Sequence, residues 1–471
     1  MLKKAISIFP KVVLLYGLGV LIFDCKASAQ VIPDNTLPIN SIVTSSDNTL
    51  IINGGTVAGE NLFHSFEQFS IPTGSSSHFN NASNIQNIFS RVTGSSISNI
   101  DGLIRANSTA NLFLINPNGI IFGPNASLNI GGSFIGSTAN YLQFSDGSKF
   151  SATEPKSTPL LTISHPVGLA FGLNPGQISV KGNGHELRLA DPVSLVGSPL
   201  VGSSESSTGL RTPFGKTLAL IGGQVTIDGG ILTAPSGQIQ IASIVGGTVN
   251  LSSTPAGFSF NYDNVNNFRD IQLSKRALID ASGILSGQII TQSKNLYVND
   301  GSLILISNFG DQTFGKININ ATDSVVLTGV SDPSIFDPFS LGVSITKGIL
   351  TQNFSIFKGA DIVILSRNLV VQNNGTIATT TFTEGTGGDI TVKVLDSLEI
   401  MGNPPINLLF LPSGIGSLTL SSGEGGDIKL SGKNLFIQDG GLITTQTWSS
   451  ARGGDVIADF SEGIELSLIH I

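Results

Sequence analysis

Two unlike phrases recur within residues 271–471 at a constant separation, which constrains the fold more than any other feature of the sequence. The first phrase is Asn followed by a short apolar strand and an Asx-Gly type turn, as in Asn295–Gly301. The second begins with Gly and runs into another alternating strand. The separation is 19 residues in each of three copies: Leu296 to Gly315, Leu369 to Gly388 and Leu435 to Gly454.

A solenoid produces a constant separation because each coil returns the chain to the same side, one rung higher. There it pairs in parallel with the previous coil, ~4.8 Å away. A β-sandwich also has short strands and glycine turns, but nothing in that fold keeps two phrases at one distance. The spacing predicts a parallel β-helix with coils of about 20 residues. The right-handed crossover rule supplies its handedness.

The composition agrees with an array of strands and turns. The chain has 56 Gly among 471 residues, only 12% of its residues are charged, and the Glu-, Lys- and Ala-rich runs of long helices are missing. In an array the core grows in one dimension, so the length does not translate into several globular domains. The formal net charge of −8 argues against nucleic-acid binding.

The first 29 residues have the pattern of a secretory signal peptide. Basic Lys3 and Lys4 precede the apolar run Val12–Phe23, and Ala27-Ser28-Ala29 is a small-residue cleavage site. The apolar run is too short to span a membrane. Cleavage would remove Cys25, the only cysteine, and with it any disulfide or thiolate metal site. We therefore expect an exported protein, secreted or held at the outer cell surface.

A different pattern occupies residues 30–157. Leu112–Ile115 reads as a buried strand, and Asn116-Pro117-Asn118-Gly119 suits a type I turn, with Pro at the second position and Gly at the fourth. Ile120 then begins another strand. These coils are less regular than those further on, as expected for a cap that ends an array.

Three spaced motifs in this segment give a resemblance to a known family. They comprise Asn61, Leu62, Phe63, His64 and Phe66, then Arg91, Val92, Thr93 and Gly94, and finally Asn116, Pro117, Asn118, Gly119 and Ile120. Over residues 30–145 the sequence resembles the N-terminal secretion domain of the filamentous haemagglutinin family. An earlier Asn-Pro-Asn-Leu motif of the best-known members is replaced here by Asn84–Val92.

The resemblance implies a right-handed parallel β-helix and export by two-partner secretion. In that route a dedicated outer-membrane translocator is the partner, and the third motif, Asn116–Ile120, is the secretion motif. Downstream solenoids of the family typically mediate adhesion or aggregation, and some members are cytolysins or contact-dependent toxins. The further partners it implies are glycans or proteins of host or neighbouring cells.

The segments divide as follows. We expect a signal peptide (1–29), the haemagglutinin-type secretion domain (30–157), an irregular β-helix continuation (158–270) and a repeat β-helix (271–471). Proline-containing stretches at 331–358 and 404–412 are expected to leave the coils as insertions, because proline is disfavoured in central strands. The sequence ends on an alternating apolar strand without a polar cap, which suggests truncation or another covering chain.

Residues for chemistry are sparse. A polysaccharide-degrading enzyme on the same scaffold is the alternative to an adhesin, and it needs several carboxylates on neighbouring coils. Asp389, Asp427 and Asp455 recur after Gly-Gly, where Asp more often completes a turn than binds a cation or glycan. His64 lies between phenylalanines, so we expect it to pack and not to bind a metal. The sequence predicts a non-catalytic protein without metal or cofactor.

Overall fold

The chain forms a parallel β-helix in which each coil contributes strands to three faces. The structure, a computed structural model, describes residues 30–155, 161–190, 199–201, 209–255, 257–285, 287–310, 315–329, 347–402 and 413–467, and within them every regular element is a strand. The expected signal peptide, 1–29, lies outside the described residues.

The first coils are irregular and begin with a cap. β1 and β4 both pair antiparallel with β5, and β2 pairs antiparallel with β3, so that the first rung of the helix is covered. The strands of this part are β1 (Gln30–Pro33), β2 (Ser41–Ser46), β3 (Thr49–Gly54), β4 (Thr56–Ala58), β5 (Asn61–Ser70), β6 (Ser76–Phe79), β7 (Asn87–Val92), β8 (Ser98–Ile100), β9 (Leu103–Ala106), β10 (Asn111–Ile115), β11 (Ile120–Phe122), β12 (Ser127–Asn129), β13 (Phe134–Ser137), β14 (Tyr141–Phe144) and β15 (Lys149–Ser151).

An extra-helical antiparallel sheet is inserted into the middle coils. It has the order β15-β14-β16-β25-β26, and its strands come from both sides of residue 157. The strands of this part are β16 (Pro166–Phe171), β17 (Ile178–Lys181), β18 (Arg188–Leu189), β19 (Leu200–Val201), β20 (Leu210–Arg211), β21 (Thr217–Gly222), β22 (Val225–Asp228), β23 (Ile231–Thr233), β24 (Gln238–Ser243), β25 (Gly247–Thr254), β26 (Gly257–Asn261), β27 (Ile271–Ser274) and β28 (Leu278–Asp280).

The last coils are regular. One long, bent strand supplies the first and second faces of each coil, and a shorter strand supplies the third. The strands are β29 (Gln288–Val298), β30 (Leu303–Asn308), β31 (Lys316–Thr328), β32 (Gly348–Asn353), β33 (Asp361–Gln372), β34 (Thr376–Thr381), β35 (Ile390–Met401), β36 (Gly414–Thr419), β37 (Ile428–Gln438), β38 (Leu442–Thr447) and β39 (Val456–Ser467).

The predicted architecture is confirmed. The predicted coil length of about 20 residues agrees with the 21-residue offset between β21 and β24, but it is too short for the repeat coils. Asp427 and Asp455 occupy the same place on successive coils and are 28 residues apart. The 19-residue separation runs from the second face of one coil, through its third face, to a residue just before the first face of the next coil. It therefore leaves out the residues of the first face. The phrases at Asn295, Asn368 and Asn434 also recur on every second coil and not on every coil.

One of the expected insertions contains part of a coil. Residues 348–353 of the segment 331–358 form β32, which pairs in parallel with both β30 and β34 on the third face. The preceding residues 330–346 lie outside the described residues, as does the expected insertion 404–412. Ile349 of β32 is buried in the central core, in register with Ile304 and Ile377 of the adjoining strands.

The core runs along the axis as columns of apolar side chains. The apolar alternation of the first phrase predicts that Leu296, Leu369 and Leu435 point inward from parallel strands, and all three are buried in the central core. Aromatic side chains such as Phe66 and Phe79 fill the cap end. A second apolar layer lies between the outer side of the first face and the extra-helical sheet.

The exposure at the last described strand is a separate observation. Ile457, Ile464 and Leu466, on β39, are 51%, 53% and 66% exposed. Leu468, the fourth residue expected at this end, lies outside the described residues.

The packing of the repeat coils can be tested with a pair of neighbouring substitutions. Leu369→Ala should lower the free energy of unfolding by about 2–4 kcal/mol, because it leaves a cavity in a core column. Val370→Ala, which shortens a half-exposed side chain on the outward side of the same strand, should cost clearly less. Denaturant unfolding of both variants measures the difference. Equal losses would contradict the assigned orientation of β33.

Candidate functional site

The motif Asn116–Ile120 forms the corner between β10 and β11, where the chain passes from the first to the second face. The Gly119 N–H donates to the Asn116 carbonyl at 3.1 Å, which closes the turn predicted from the sequence. Gly119 has a φ of +131°, a conformation that favours glycine. The backbone conformation of the turn therefore requires glycine at this position.

The side chain of Asn116 is fully buried, and both its amide nitrogen and its amide oxygen form hydrogen bonds. Its Nδ2 donates to the Ser96 carbonyl at 3.0 Å and to Ser98 Oγ at 2.9 Å, both in the loop of the preceding coil. Its Oδ1 accepts the backbone N–H of Asn118 at 3.0 Å. Asn116 thus fastens one coil to the previous one and shapes its own turn.

Asn118 occupies the outer side of the same turn. Its side chain is exposed, and Nδ2 donates to the Gly94 carbonyl at 2.7 Å. On the other side of the turn the Gly176 N–H donates to the Pro117 carbonyl at 2.9 Å. The motif is therefore held between loops of two other coils, and Pro117 and Asn118 are its parts that reach the surface.

The second motif centres on a buried cation. Arg91 is 1% exposed, and its guanidinium donates to Ser65 Oγ at 2.9 Å and to the Ser151 carbonyl at 2.6 Å. It also donates to Thr36 Oγ1 at 2.9 Å and lies 4.3 Å from the centre of the Phe150 ring. Burial lowers the pKa of Arg91 to about 10, so the side chain remains charged at neutral pH.

The anion that balances Arg91 is Asp34, which the sequence analysis did not single out. Its carboxylate accepts from Ser65 Oγ at 2.7 Å and from Thr93 Oγ1 at 2.5 Å, which brings a second motif residue into the cluster. Partial burial raises the pKa of Asp34, but hydrogen bonds from Thr36, Thr93 and Ser65 outweigh it and lower the pKa below its ordinary value. A buried charge requires such partners.

The neighbours of Arg91 in the motif have packing roles. Val92 is buried in the central core. At Gly94 an added Cβ would lie 2.1 Å from the Glu67 carbonyl oxygen, so no larger residue fits. In the first motif, Leu62 and Phe66 point into the central core, whereas Phe63 faces the extra-helical sheet.

His64 is packed, as expected from the sequence. It is fully buried, its ring lies 5.4 Å from that of Phe79, and Nδ1 forms a 2.9 Å hydrogen bond with Ser41 Oγ. Burial lowers the pKa of His64 to about 3, so the imidazole is neutral at physiological pH. Since Ser41 begins β2, this contact joins the capping hairpin to the first coil.

A column of asparagines connects the first motif to the following coils. Asn87 Nδ2 donates to Asn61 Oδ1 at 3.1 Å, Asn111 Nδ2 donates to Asn87 Oδ1 at 3.0 Å, and the Ser133 N–H donates to Asn111 Oδ1 at 2.9 Å. Of this column, only Asn61 belongs to the three motifs recognised in the sequence. The recurrence of Asn followed by Leu or Ile and then Phe was the signal that marked the others.

The Gly-Gly-Asp residues of the last coils form a similar column. Asp389 Oδ1 accepts the Asp427 N–H at 2.9 Å, and Asp427 Oδ1 accepts the Asp455 N–H at 3.0 Å. Lys358 Nζ lies 2.9 Å from Asp389 Oδ2, and Arg452 lies 2.7 Å from Asp455. Asp389 and Asp427 thus each bond to the next coil, and all three aspartates pair with a cation, which extends the turn role expected for them.

The described residues contain no group of three or more His, Cys, Asp or Glu side chains placed to hold a metal ion. In the same part of the chain, no helix is long and apolar enough to cross a membrane.

Comparison with known proteins gives a matching family, and the similar solved structures include two secretion domains. Residues 29–298 match the family model described as the TPS secretion domain. The fold is similar to the HMW1 secretion domain from Haemophilus influenzae, with 16% identity and a TM-score of 0.48 over 90% of this chain and 100% of that one. It is also similar to the filamentous hemagglutinin secretion domain, with 12% identity and a TM-score of 0.35 over 93% and 99%. No curated protein matches the chain.

The neutral state of His64 predicts a pH dependence of stability. Its folded pKa of about 3 lies below the ordinary value of 6.5, so the unfolded chain takes up the proton first. The contribution to stability should be complete above pH 6.5 and should be lost as the pH falls towards 3. Chemical unfolding at a series of pH values measures the loss.

A His64→Gln variant is the comparison for that experiment. The variant should show a shallower fall, with the remainder due in part to buried His185, whose pKa burial lowers to about 4. Identical pH profiles for the two proteins would show that His64 does not titrate with unfolding.

Proposed function

The chain belongs to the TPS secretion domain family, and we propose that Asn116–Ile120 is the motif on which its export by two-partner secretion depends. An exoprotein of this kind crosses the outer membrane through its translocator partner. The observation that carries the proposal is the position of the motif, where a single turn is hydrogen-bonded to both neighbouring coils.

The two asparagines have different roles in this proposal. Asn116 has no exposed surface and acts by fixing the turn against the preceding coil. Asn118 is exposed and can touch the translocator directly, although it also bonds to Gly94. Arg91 and His64 are positioning residues that hold the cap around the motif and do not meet the partner themselves.

Export of single variants tests these roles. Asn116→Ala should reduce the amount of protein released outside the cell by about tenfold or more, because it leaves buried polar groups of Ser98 and Asn118 without their partner. Asn118→Ala should reduce export with a smaller loss of folding stability. Immunoblots of medium and periplasm, with unfolding of each purified variant, separate the two effects.

The exposed residue Asn84 supplies the matched control, since it stands where an Asn-Pro-Asn-Leu motif was expected. Asn84→Ala should be exported normally. Normal release of both Asn116→Ala and Asn118→Ala would contradict the proposed motif, and loss of export in Asn84→Ala would move the motif to that loop.

The exported β-helix is proposed to act as a non-catalytic adhesin that binds surface glycans or proteins of other cells. Polysaccharide cleavage needs carboxylates free to act as acid and base. The carboxylates of Asp389 and Asp427 accept backbone N–H groups, and those of Asp389, Asp427 and Asp455 all pair with lysine or arginine. This argues for binding by the outer faces and against hydrolysis at this column.

Purified exported protein should bind to intact cells and leave acidic and neutral polysaccharides uncleaved. Asp427→Asn should keep cell binding within about twofold while weakening the column, since one carboxylate there contributes to stability and not to recognition. Cell-binding counts and reducing-sugar release measure the two activities. Sugar release that Asp427→Asn abolishes would favour the enzyme.

A further inference from the structure

The regular coils carry a column of alternating charge at the corner where each long strand bends. Just after the bend, one residue of each coil is paired in parallel with the equivalent residue of the next coil: Asn295, Ser324, Asn368, Ser397, Asn434 and Gly463. We define the corner column as the six residues that immediately precede these positions in the sequence. Its members, in order along the axis, are Lys294, Asp323, Arg367, Asp396, Lys433 and Glu462. The sign of the charge changes at every coil.

The last four members of the column are in contact with their neighbours. Arg367 NH1 lies 3.0 Å from one carboxylate oxygen of Asp396, and Lys433 Nζ lies 3.2 Å from the other. Lys433 also lies 4.0 Å from Glu462. Hydrogen bonds from Arg367 and Lys433 lower the pKa of Asp396 below its ordinary value, so it is charged at neutral pH. One carboxylate is thus shared between the coils on either side of it.

The paired positions beside the column alternate as well. Asn occurs on the coils with a basic corner, and Ser or Gly on the coils with an acidic one. The Asn295 side chain accepts the Ser324 N–H at 3.1 Å, and the Asn368 side chain accepts both the N–H and the hydroxyl of Ser397. The structural repeat is one coil, but the chemical repeat is therefore two coils.

The apolar core residues beside this column would pack almost equally well against any of these coils. At the next position of the register the inward residues are Leu296, Val325, Leu369, Leu398 and Leu435, all buried and similar in size. A coil that docked two rungs away from its proper neighbour would bury nearly the same apolar surface. Repeat arrays fold by nearest-neighbour docking, so such a skipped register is a competing product.

We propose that the corner column is a register code, which lets each coil dock on its own neighbour and opposes docking on the coil before it. If the coil of Asp396 is skipped, Lys433 comes to lie beside Arg367 and Asn434 beside Asn368. The two attractive contacts of Asp396 are then replaced by one repulsive contact between Lys433 and Arg367. Unlike charges favour the correct register and like charges penalise the alternative, which is how specificity is obtained between near-equal partners.

A disulfide can report the skipped register. Leu365 and Ser431 face outward in one column with Lys393 between them, so they lie two rungs apart in the correct fold. At roughly 9.6 Å their Cα atoms are too far apart for a disulfide, whereas skipping one coil makes them adjacent. The test protein is the full chain with Leu365→Cys, Ser431→Cys and Cys25→Ser, refolded from denaturant and then oxidised.

Two further sets of substitutions complete the design. The neutral set is Arg367→Gln, Asp396→Asn and Lys433→Gln, which leaves the core unchanged. The inverted set is Lys294→Glu, Asp323→Lys, Arg367→Glu, Asp396→Lys, Lys433→Glu and Glu462→Lys, which reverses every sign but keeps the alternation. The neutral set should raise the disulfide-linked fraction by about threefold to tenfold, and the inverted set should return it to the level of the parent.

Salt provides a measurement that needs no substitution in the column. Refolding the parent in 1 M salt, where the screening length is about 3 Å, should raise its linked fraction towards that of the neutral set. This arm decides the matter if the neutral set fails to fold. A linked fraction that is the same for parent and neutral set, or as high in the inverted set as in the neutral one, would overturn the proposal.

Discussion

The structure depends on one constraint: each coil lies directly above the one before it, at the fixed spacing of parallel strands, ~4.8 Å. Every side chain therefore meets its counterpart on the next coil. Asparagines meet asparagines at Asn61, Asn87 and Asn111, and rings stack at 4.6 Å between Phe354 and Phe382. A column can therefore hold either one residue type whose side chains contact each other favourably, or two types whose side chains are complementary.

The same constraint explains why the cap has antiparallel strands and a buried guanidinium, that of Arg91. A first rung has no coil beneath it, so its backbone groups need other partners. Antiparallel β1, β2 and β4 supply them, and Arg91 with Asp34 fastens these strands to the first coils. Burying a guanidinium is costly unless its donors are satisfied, which restricts this arrangement to a single geometry. The motifs that mark the secretion domain are thus also the residues that close the helix.

The sequence predicts whatever repeats in it and misses whatever is determined by distant partners. The parallel solenoid, the inward leucines and the turn at Asn116–Gly119 follow from local pattern, and the structure has all three. The coil length was wrong for the repeat coils because the phrases mark only two of three faces. Asp34 was missed because its partners Ser65 and Thr93 are 31 and 59 residues away. The extra-helical sheet was missed because its antiparallel strands carry no repeated phrase.

The two halves of the protein solve the problem of register in different ways. In the first coils the distance between matching asparagines falls from 26 to 24 residues and then to 22 at Ser133. Irregular coils with their own aromatic residues and an added sheet fit only one neighbour, so shape alone specifies their order. The last coils are nearly identical in shape, so shape cannot specify their order. Charge and hydrogen bonding at the corners then provide the difference that packing does not, and this is why the regular part of the array is the part that alternates.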